Sequence, residues 1–170
     1  MVARPWRTEG SVELLVDAPP RVVYDAVADV TRTGERSPEC RAAAWLAESV
    51  PGTTGARFRG RNRSGIARWS RVCEVVAADP GQAFAFRTLP ERRDPSRRDS
   101  TTWSYAFEPE GGGTRVVHSY EITQLPSRFF RALYGRLLPH HRDMRPQMQA
   151  TLEALRSSLE NNPPAGSLTD

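Results

Sequence analysis

The chain has 170 residues and a mass of 19.0 kDa, a size that suits a single globular domain. Its net charge is +4, all 24 basic residues are arginine, and 38% of the residues are hydrophobic. The absence of lysine excludes Schiff-base catalysis by a lysine amine and phosphate binding by a P-loop lysine.

The sequence carries no signal for a membrane or an oxidising compartment. No apolar run approaches the length of a membrane span, and the first residues, MVARPWRTEG, lack the apolar core of a signal peptide. Cys40 and Cys73 have no CxxC spacing and predict neither a disulfide framework nor a cysteine zinc site. We therefore expect a cytoplasmic protein, in which residues 1–10 form an N-terminal extension.

The beginning of the chain predicts one strand and two helices. Residues 11–16 alternate as a strand does, and the segment Asp17-Ala-Pro-Pro20 predicts a helix start, because proline is tolerated in a first turn. The residues that follow at helical spacing form one apolar stripe: Val22, Val23, Ala26, Val27 and Val30. Residues 31–39 predict a short second helix, which ends at Ser37-Pro38.

From Cys40 onward the hydrophobic period becomes two, which is typical of strands. Six strands are predicted, over residues 41–49, 56–62, 67–76, 83–88, 101–108 and 114–123. The turns between them are marked by Pro51-Gly52, Asp79-Pro80-Gly81 and the three glycines at 111–113. The charged segment 89–100, LPERRDPSRRDS, predicts a mobile hairpin loop.

The last part of the chain is helical in pattern. Residues 127–138 predict a short helix with Ser127 as its N-cap, and residues 143–160 predict a long helix capped by Asp143. The apolar stripe of the long helix consists of Met144, Met148, Leu152, Leu155 and Leu159, and residues 161–170 predict a disordered tail. This order predicts an α+β fold. A curved antiparallel sheet of about seven strands surrounds the C-terminal helix, with a cavity between them.

Alternation along two strands places His118 on the face that looks into this cavity. Trp103, Tyr105 and Phe107 share the inner face of one strand, and the next strand contributes Val116, His118, Tyr120 and Ile122. A neutral imidazole can remove a proton next to a ketone or protonate a departing hydroxyl, while Tyr105 or Tyr120 donates to the carbonyl oxygen. The simpler alternative, a wall histidine satisfied by a tyrosine or a water molecule, is favoured.

Arg71 is the second candidate for chemistry, because it shares a face with Trp69, Cys73 and Val75. A buried arginine needs an anion or a carbonyl as partner. It can anchor a carboxylate or ketone of a substrate, form an internal ion pair, or turn to solvent at a bulge. The three alternatives remain open.

The segment GARFRGRNR separates a basic face from a cavity face. Arg57, Arg59, Arg61 and Arg63 alternate with Phe58, Gly60 and Asn62. The basic stripe can in principle meet nucleic acid or an acidic carrier protein. We expect a solvated outer face and no nucleic-acid partner, because that face has no aromatic residues for base stacking.

His140, His141 and Asp143 raise the question of a metal. Adjacent histidines diverge on a helix and no third ligand is evident, so we expect neither a metal nor another cofactor. Cys73 is expected to line the cavity, but no basic partner is identified that would activate it as a nucleophile.

Four segments together resemble a known family: DAPPRVVYDAVADVTRTGERSPEC, PGTTGARFRGRNRSGIARWSRVCEVVAADPG, EPEGGGTRVVHSYEI and HRDMRPQMQATLEALRSSLE. They are similar to the polyketide cyclase/dehydratase-like branch of the START-like (SRPBCC) helix-grip superfamily. The resemblance covers roughly residues 11–160 and implies one START-like ligand-binding domain with a deep, largely apolar cavity. Arg36 stands where many relatives are expected to have tryptophan, which argues against a pocket-lining role for the second helix.

The resemblance implies hydrophobic ligands, often cyclic or polyketide-like. The first hypothesis is a cyclase or dehydratase of the aromatase type that uses acid–base chemistry without a cofactor. The second is a carrier or sensor of a hydrophobic ligand or lipid, and the third is an adaptor that uses the arginine stripe. No membrane partner is expected, and the choice between monomer and homodimer stays open.

The catalytic candidates are His118, Tyr105, Tyr120 and Arg71, and the ligand-binding candidates are Phe58, Asn62, Trp69, Cys73, Phe84, Phe86, Trp103, Val116, Met144 and Met148.

Overall fold

The computed structural model describes residues 6–161. The predicted tail beyond Asn161 and the first five residues of the predicted N-terminal extension lie outside the described residues. The first strand begins at Glu9, so the last two residues of that extension belong to the sheet.

The elements follow the predicted order along the chain. They are β1 (Glu9–Val16), α1 (Pro20–Ala28), β2 (Cys40–Trp45), β3 (Arg57–Ser64), β4 (Ala67–Asp79), β5 (Ala83–Thr88), β6 (Ser100–Glu110), β7 (Gly113–Gln124), α2 (Arg128–Leu137) and α3 (Arg145–Asn161). Short 3₁₀ turns lie at Val30–Glu35, Pro95–Arg97 and Pro139–Arg142.

The predicted second helix is the 3₁₀ turn Val30–Glu35 and ends four residues earlier than expected. Pro38 disfavours helical geometry at the residue before it. Gly34 also packs so closely against the backbone carbonyl of Arg41 that a side chain at this position would collide with it. The chain therefore turns directly from this 3₁₀ segment into β2.

Seven antiparallel strands form one sheet in the order β1-β7-β6-β5-β4-β3-β2. In the β6–β7 pair, Trp103 lies opposite Tyr120 and Tyr105 lies opposite His118. These side chains are buried or half-buried, whereas Glu121 is exposed. The inner faces of β6 and β7 are therefore the ones that the alternation predicts.

The sheet and the helices form a solid core at only one end of the molecule. Near α1 the side chains pack into a hydrophobic core, which includes Val16, Val23, Tyr24, Phe84, Phe107, Val116 and Leu152. Further along the same strands, the inner side chains surround an open volume. α1 packs against β5, β6 and β7, and its side chains fill part of the space above these strands.

Candidate functional site

The cavity has a volume of about 490 Å³ and lies between the sheet, α3, α2 and the turns at Val30–Glu35 and Pro139–Arg142. This volume is within the usual range of small-molecule sites. Apolar and aromatic side chains form much of the wall, among them Val27, Phe58, Phe86, Trp103, Leu138 and Leu155. A small number of polar groups among them can orient a ligand.

His118 is the central polar group of the wall and is 4% exposed. Its Nδ1 lies 3.1 Å from the backbone carbonyl oxygen of Ser104. Because a carbonyl only accepts hydrogen bonds, Nδ1 carries the proton and donates it, which leaves a lone pair on Nε2. No hydrogen-bond partner of Nε2 exists among residues 6–161.

Burial keeps this imidazole neutral. It lowers the pKa of His118 from 6.5 to about 4, and the hydrogen bond to Ser104 offsets only part of the effect. The ring stacks face to face on Tyr105, with centroids 3.9 Å apart and planes inclined by 7°. The stacked pair presents one acceptor nitrogen and one phenol in the same wall.

Arg36 brings a positive charge to this part of the cavity. Its guanidinium donates to the backbone carbonyl oxygens of Ala26 at 2.6 Å and Asp29 at 3.4 Å, at the C-terminal end of α1. It is 9% exposed and has no carboxylate partner among the described residues. Burial lowers the pKa of Arg36 and raises the pKa of Tyr105 to about 12, which the Arg36 charge partly offsets.

The expectation that the segment around Arg36 does not line the pocket is wrong. Val30, Thr33 and Arg36 all lie in the cavity wall. The signal available in the sequence was an arginine one short turn beyond an apolar helix, because the last carbonyl groups of a helix attract a cation.

Arg71 lies in the wall, but an internal partner satisfies its charge. Its Nη1 contacts the two carboxylate oxygens of Asp99 at 2.9 and 3.0 Å, and Nη2 donates to the backbone carbonyls of Asp99 and Leu89. Of the three alternatives for Arg71, the structure has the internal ion pair. Asp99 comes from segment 89–100, so this loop is anchored to β4.

The structure brings most of the predicted site residues together in one cavity wall. These are His118, Tyr105 and Arg71, together with Phe58, Asn62, Trp69, Cys73, Phe86, Trp103, Met144 and Met148. Burial raises the pKa of Cys73 to about 12, so its thiol is a poor nucleophile.

Tyr120, Phe84 and Val116 lie on the predicted face but outside the cavity wall. Phe84 and Val116 are fully buried in the core beneath α1. Tyr120 lies beside Gly10 and the side chain of Arg145, and its hydroxyl donates to the carbonyl oxygen of Arg7 at 3.4 Å. Alternation sets the face of a strand residue, but it does not decide whether another element covers that side chain.

Glu39, His140 and His141 form a second polar cluster at the rim of the cavity. Glu39 Oε2 lies 2.7 Å from Nε2 of His140 and 3.1 Å from Nε2 of His141. The three side chains are 20–23% exposed and all belong to the cavity wall. Burial raises the pKa of Glu39, but the hydrogen bonds from the two histidines outweigh it and hold this pKa at about 2.

This cluster is not predictable from the sequence, for two physical reasons. The histidines lie in the 3₁₀ turn Pro139–Arg142 rather than in the last helix, and their ring planes are 85° apart. Glu39 is about a hundred residues away in the chain, so no local spacing reveals it. Asp143 instead accepts from the backbone N–H of Arg145 at 3.2 Å, at the start of α3.

A protein-family model described as polyketide cyclase/dehydrase and lipid transport matches residues 7–160. The chain belongs to this family. The match confirms the resemblance to the polyketide cyclase/dehydratase-like branch of the helix-grip superfamily. The search of curated proteins found no match.

Solved structures of similar fold come from several organisms. A Polyketide_cyc-like protein of Corynebacterium glutamicum is 28% identical, with a TM-score of 0.57 over 96% of this chain and 98% of that chain. A protein of Thermus thermophilus is 21% identical, with a TM-score of 0.68 over 90% of this chain and 97% of that chain.

The di-domain ARO/CYC StfQ of the steffimycin biosynthetic pathway is 15% identical, with a TM-score of 0.65 over 91% of this chain and 51% of that chain. Together the neighbours establish the helix-grip fold for this member of the family. Among residues 6–161, no helix is both long and apolar enough to cross a membrane.

Proposed function

We propose that this family member binds a hydrophobic, polyketide-like molecule in the cavity and acts on it as a cyclase/dehydratase of the aromatase type. The family description and the ARO/CYC name of StfQ support the general role. The observation that carries the proposal is the state of His118. It is a neutral imidazole with a free Nε2 lone pair, stacked on a phenol and in the same wall as an arginine without a carboxylate partner.

The first step is the removal of a proton from carbon. His118 Nε2 takes the proton from a methylene between two carbonyl groups of the substrate, and the electron pair of the C–H bond forms an enolate. Arg36 and the Tyr105 hydroxyl stabilise the negative charge on the enolate oxygen, since the raised pKa of Tyr105 keeps it protonated.

The second step forms the ring and releases water. The enolate carbon attacks another carbonyl carbon of the same chain, and the new alkoxide receives the proton held by His118. His118 then removes the second proton from the same carbon and delivers it to the new hydroxyl group, which leaves as water while the C–H electron pair forms the double bond. The net change is one C–C bond formed and one water lost, with no oxidant or reductant.

The low pKa of His118 limits its strength as a base and favours acidic substrates. An imidazole whose pKa is about 4 is a weak acceptor, so a simple ketone is a poor substrate. A methylene between two carbonyls is far more acidic, and the positive charge of Arg36 assists its ionisation. A poly-β-keto chain has such methylenes throughout.

A non-catalytic carrier or sensor is the alternative, and the state of Arg71 favours it. Asp99 neutralises this arginine, for which substrate anchoring was one of three alternatives, and Arg71 becomes a support of the wall. Tyr120, also a catalytic candidate, is likewise left without a role in the cavity. An apolar cavity with few free polar groups serves binding without conversion equally well.

A comparison of two tyrosines on neighbouring strands tests the enzymatic proposal. Purified protein is added to a poly-β-keto substrate, and the products of the wild type, His118→Gln, Tyr105→Phe and Tyr120→Phe are quantified by liquid chromatography and mass spectrometry. We expect His118→Gln to lower turnover at least about 100-fold and Tyr105→Phe about tenfold, because general acid–base groups contribute on that scale. Tyr120→Phe is the matched control and keeps full turnover.

Equal turnover in all four proteins would overturn the catalytic roles. If substrate binds to each protein with the same affinity and is never converted, the carrier alternative holds. Binding is measured separately by quenching of tryptophan fluorescence, since Trp69 and Trp103 lie in the wall.

A further inference from the structure

We propose that Glu39, His140 and His141 form a binding site for a divalent transition-metal ion at the rim of the cavity. The two imidazole Nε2 atoms and one carboxylate oxygen converge there, and all the candidate donor atoms lie within 4.8 Å of one another. The proposal rests on this cluster alone and needs no organic ligand.

The geometry requires little adjustment to hold an ion. With zinc–ligand distances of about 2.0–2.1 Å, tetrahedral donors are roughly 3.4 Å apart. The nitrogens of His140 and His141 lie 2.7 and 3.1 Å from Glu39 Oε2, so small rotations of the side chains open the required space. The perpendicular rings bring the two nitrogens toward the carboxylate from different directions.

The donor set selects the class of metal. Two imidazoles and one carboxylate suit Zn²⁺, Co²⁺, Ni²⁺ or Fe²⁺, whereas Mg²⁺ and Ca²⁺ prefer sites made of oxygen ligands. Each ring carries its proton on Nδ1 in the metal-bound form, because the metal takes the Nε2 lone pair. Without metal, the same Nε2–H groups donate to Glu39, which accounts for the hydrogen bonds seen here.

The protein supports two of the three ligands through rigid backbone. The N–H of His141 donates to the carbonyl of Leu138 at 2.9 Å, and the carbonyl of His140 accepts from the N–H of Asp143 at 3.2 Å. The ring of His141 lies edge-on to Trp69, with centroids 5.9 Å apart. Arg68 also lines the cavity, and its positive charge opposes a dication there.

Three protein ligands leave at least one coordination position for another oxygen donor. Because all three side chains line the cavity, a ligand bound in the cavity can reach this position. A 1,3-dicarbonyl or carboxylate group of a ligand can complete the coordination sphere. This last point rests on the proposed function, whereas metal binding itself does not.

The test uses the full chain without an affinity tag, stripped of metal by a chelator and then titrated with Zn²⁺ by calorimetry. We expect one ion per chain, and Glu39→Gln, His140→Ala and His141→Ala each weaken binding at least about tenfold. Asp143→Asn is the matched control: it removes a carboxylate two residues from His141 and leaves the affinity unchanged. Co²⁺ reports the coordination geometry through its visible absorption bands.

A second measurement covers the case in which a variant is destabilised. Cu²⁺ quenches nearby indoles, so it is expected to quench Trp69 in the otherwise unaltered protein, and Trp69→Phe removes that quenching without weakening Zn²⁺ binding. Absence of binding at about millimolar Zn²⁺ overturns the proposal, as does equal affinity in the three ligand variants. If the wild type binds Zn²⁺ and the His140→Ala variant keeps full turnover, the metal site exists but takes no part in the proposed reaction.

Discussion

His118 is neutral because its surroundings cannot solvate a charge. It is almost completely enclosed, its one donor is committed to the Ser104 carbonyl, and an aromatic ring covers its face. A protonated imidazole would need a second acceptor, and none lies within reach among the described residues. Because His118 is buried in its neutral form, the stability of the folded protein depends on pH.

Acid is expected to destabilise the wild-type protein through His118. The pKa is about 4 in the folded state and near 6.5 when unfolded, so the unfolded state binds more protons between these values. The stability contribution is complete above about pH 6.5 and is lost as the pH falls toward 4. Between about pH 7 and pH 5, the free energy of unfolding should fall roughly 2 kcal/mol more for wild type than for His118→Gln.

Urea unfolding of both proteins at the two pH values measures this difference. The comparison cancels groups that the two proteins share, including the cluster around Glu39. An equal loss of stability in wild type and variant would mean that His118 is not buried in its neutral form.

At the scale of elements, the Arg71–Asp99 ion pair attaches a long connection to the sheet. The segment 89–100, which the sequence predicts to be a mobile hairpin loop, contains a 3₁₀ turn and places Asp99 against β4. The hydroxyl of Tyr134 on α2 also donates to the carbonyl of Ser96 in this segment at 2.5 Å. One connection thereby joins β4 to the helix that covers the cavity.

Removal of the negative charge at Asp99 is expected to be strongly destabilising. Asp99→Asn leaves the Arg71 guanidinium buried without its counter-ion, which costs about 3 kcal/mol. The control Asp25→Asn breaks the exposed pair with Arg21 and costs about 0.5 kcal/mol or less. Denaturant unfolding gives both values, and similar losses in the two variants would contradict the assigned role of the buried pair.

At the scale of the molecule, the helix-grip fold divides the space above one sheet into a packed part and an open part. α1 fills the part beneath it, and α3 crosses the sheet beside β1. The open part remains because small residues such as Gly60 lie where a larger side chain would enter. The stability of the fold and the space for a ligand therefore depend on different residues of the same strands.

Filling the cavity from Gly60 is expected to reduce binding without loss of stability. A Cβ at this position would meet only the Cys40 Sγ, at 3.6 Å, and a valine also suits a strand better than glycine does. Gly60→Val should weaken binding of the apolar dye anilinonaphthalene sulfonate at least about tenfold while the melting temperature stays equal or rises. The control Ala44→Val places a valine on the exposed face of the neighbouring strand β2, where it cannot enter the cavity.

Dye titration and thermal unfolding of the three proteins provide the measurements. Unchanged dye affinity in Gly60→Val would show that the dye binds outside the cavity. A lowered melting temperature would show that the space beside Gly60 is already filled.

The sequence by itself determined the order of elements, the inner faces of β6 and β7, the cap at Ser127 and the polyketide cyclase-like family. The elements, the faces and the cap follow from periods of two and 3.6 residues and from neighbours in the chain, which are local quantities, whereas the family follows from the resemblance of four sequence segments. Only the tertiary structure decided which inner residues line the cavity. Tyr105 and Phe84 obey the same alternation and lie opposite each other on β6 and β5, but only Tyr105 lines the cavity, whereas Phe84 packs against Tyr24 of α1. It also decided the partners of Arg71 and of the histidine pair, because contacts between residues far apart in the chain form only when the sheet curves around its helices.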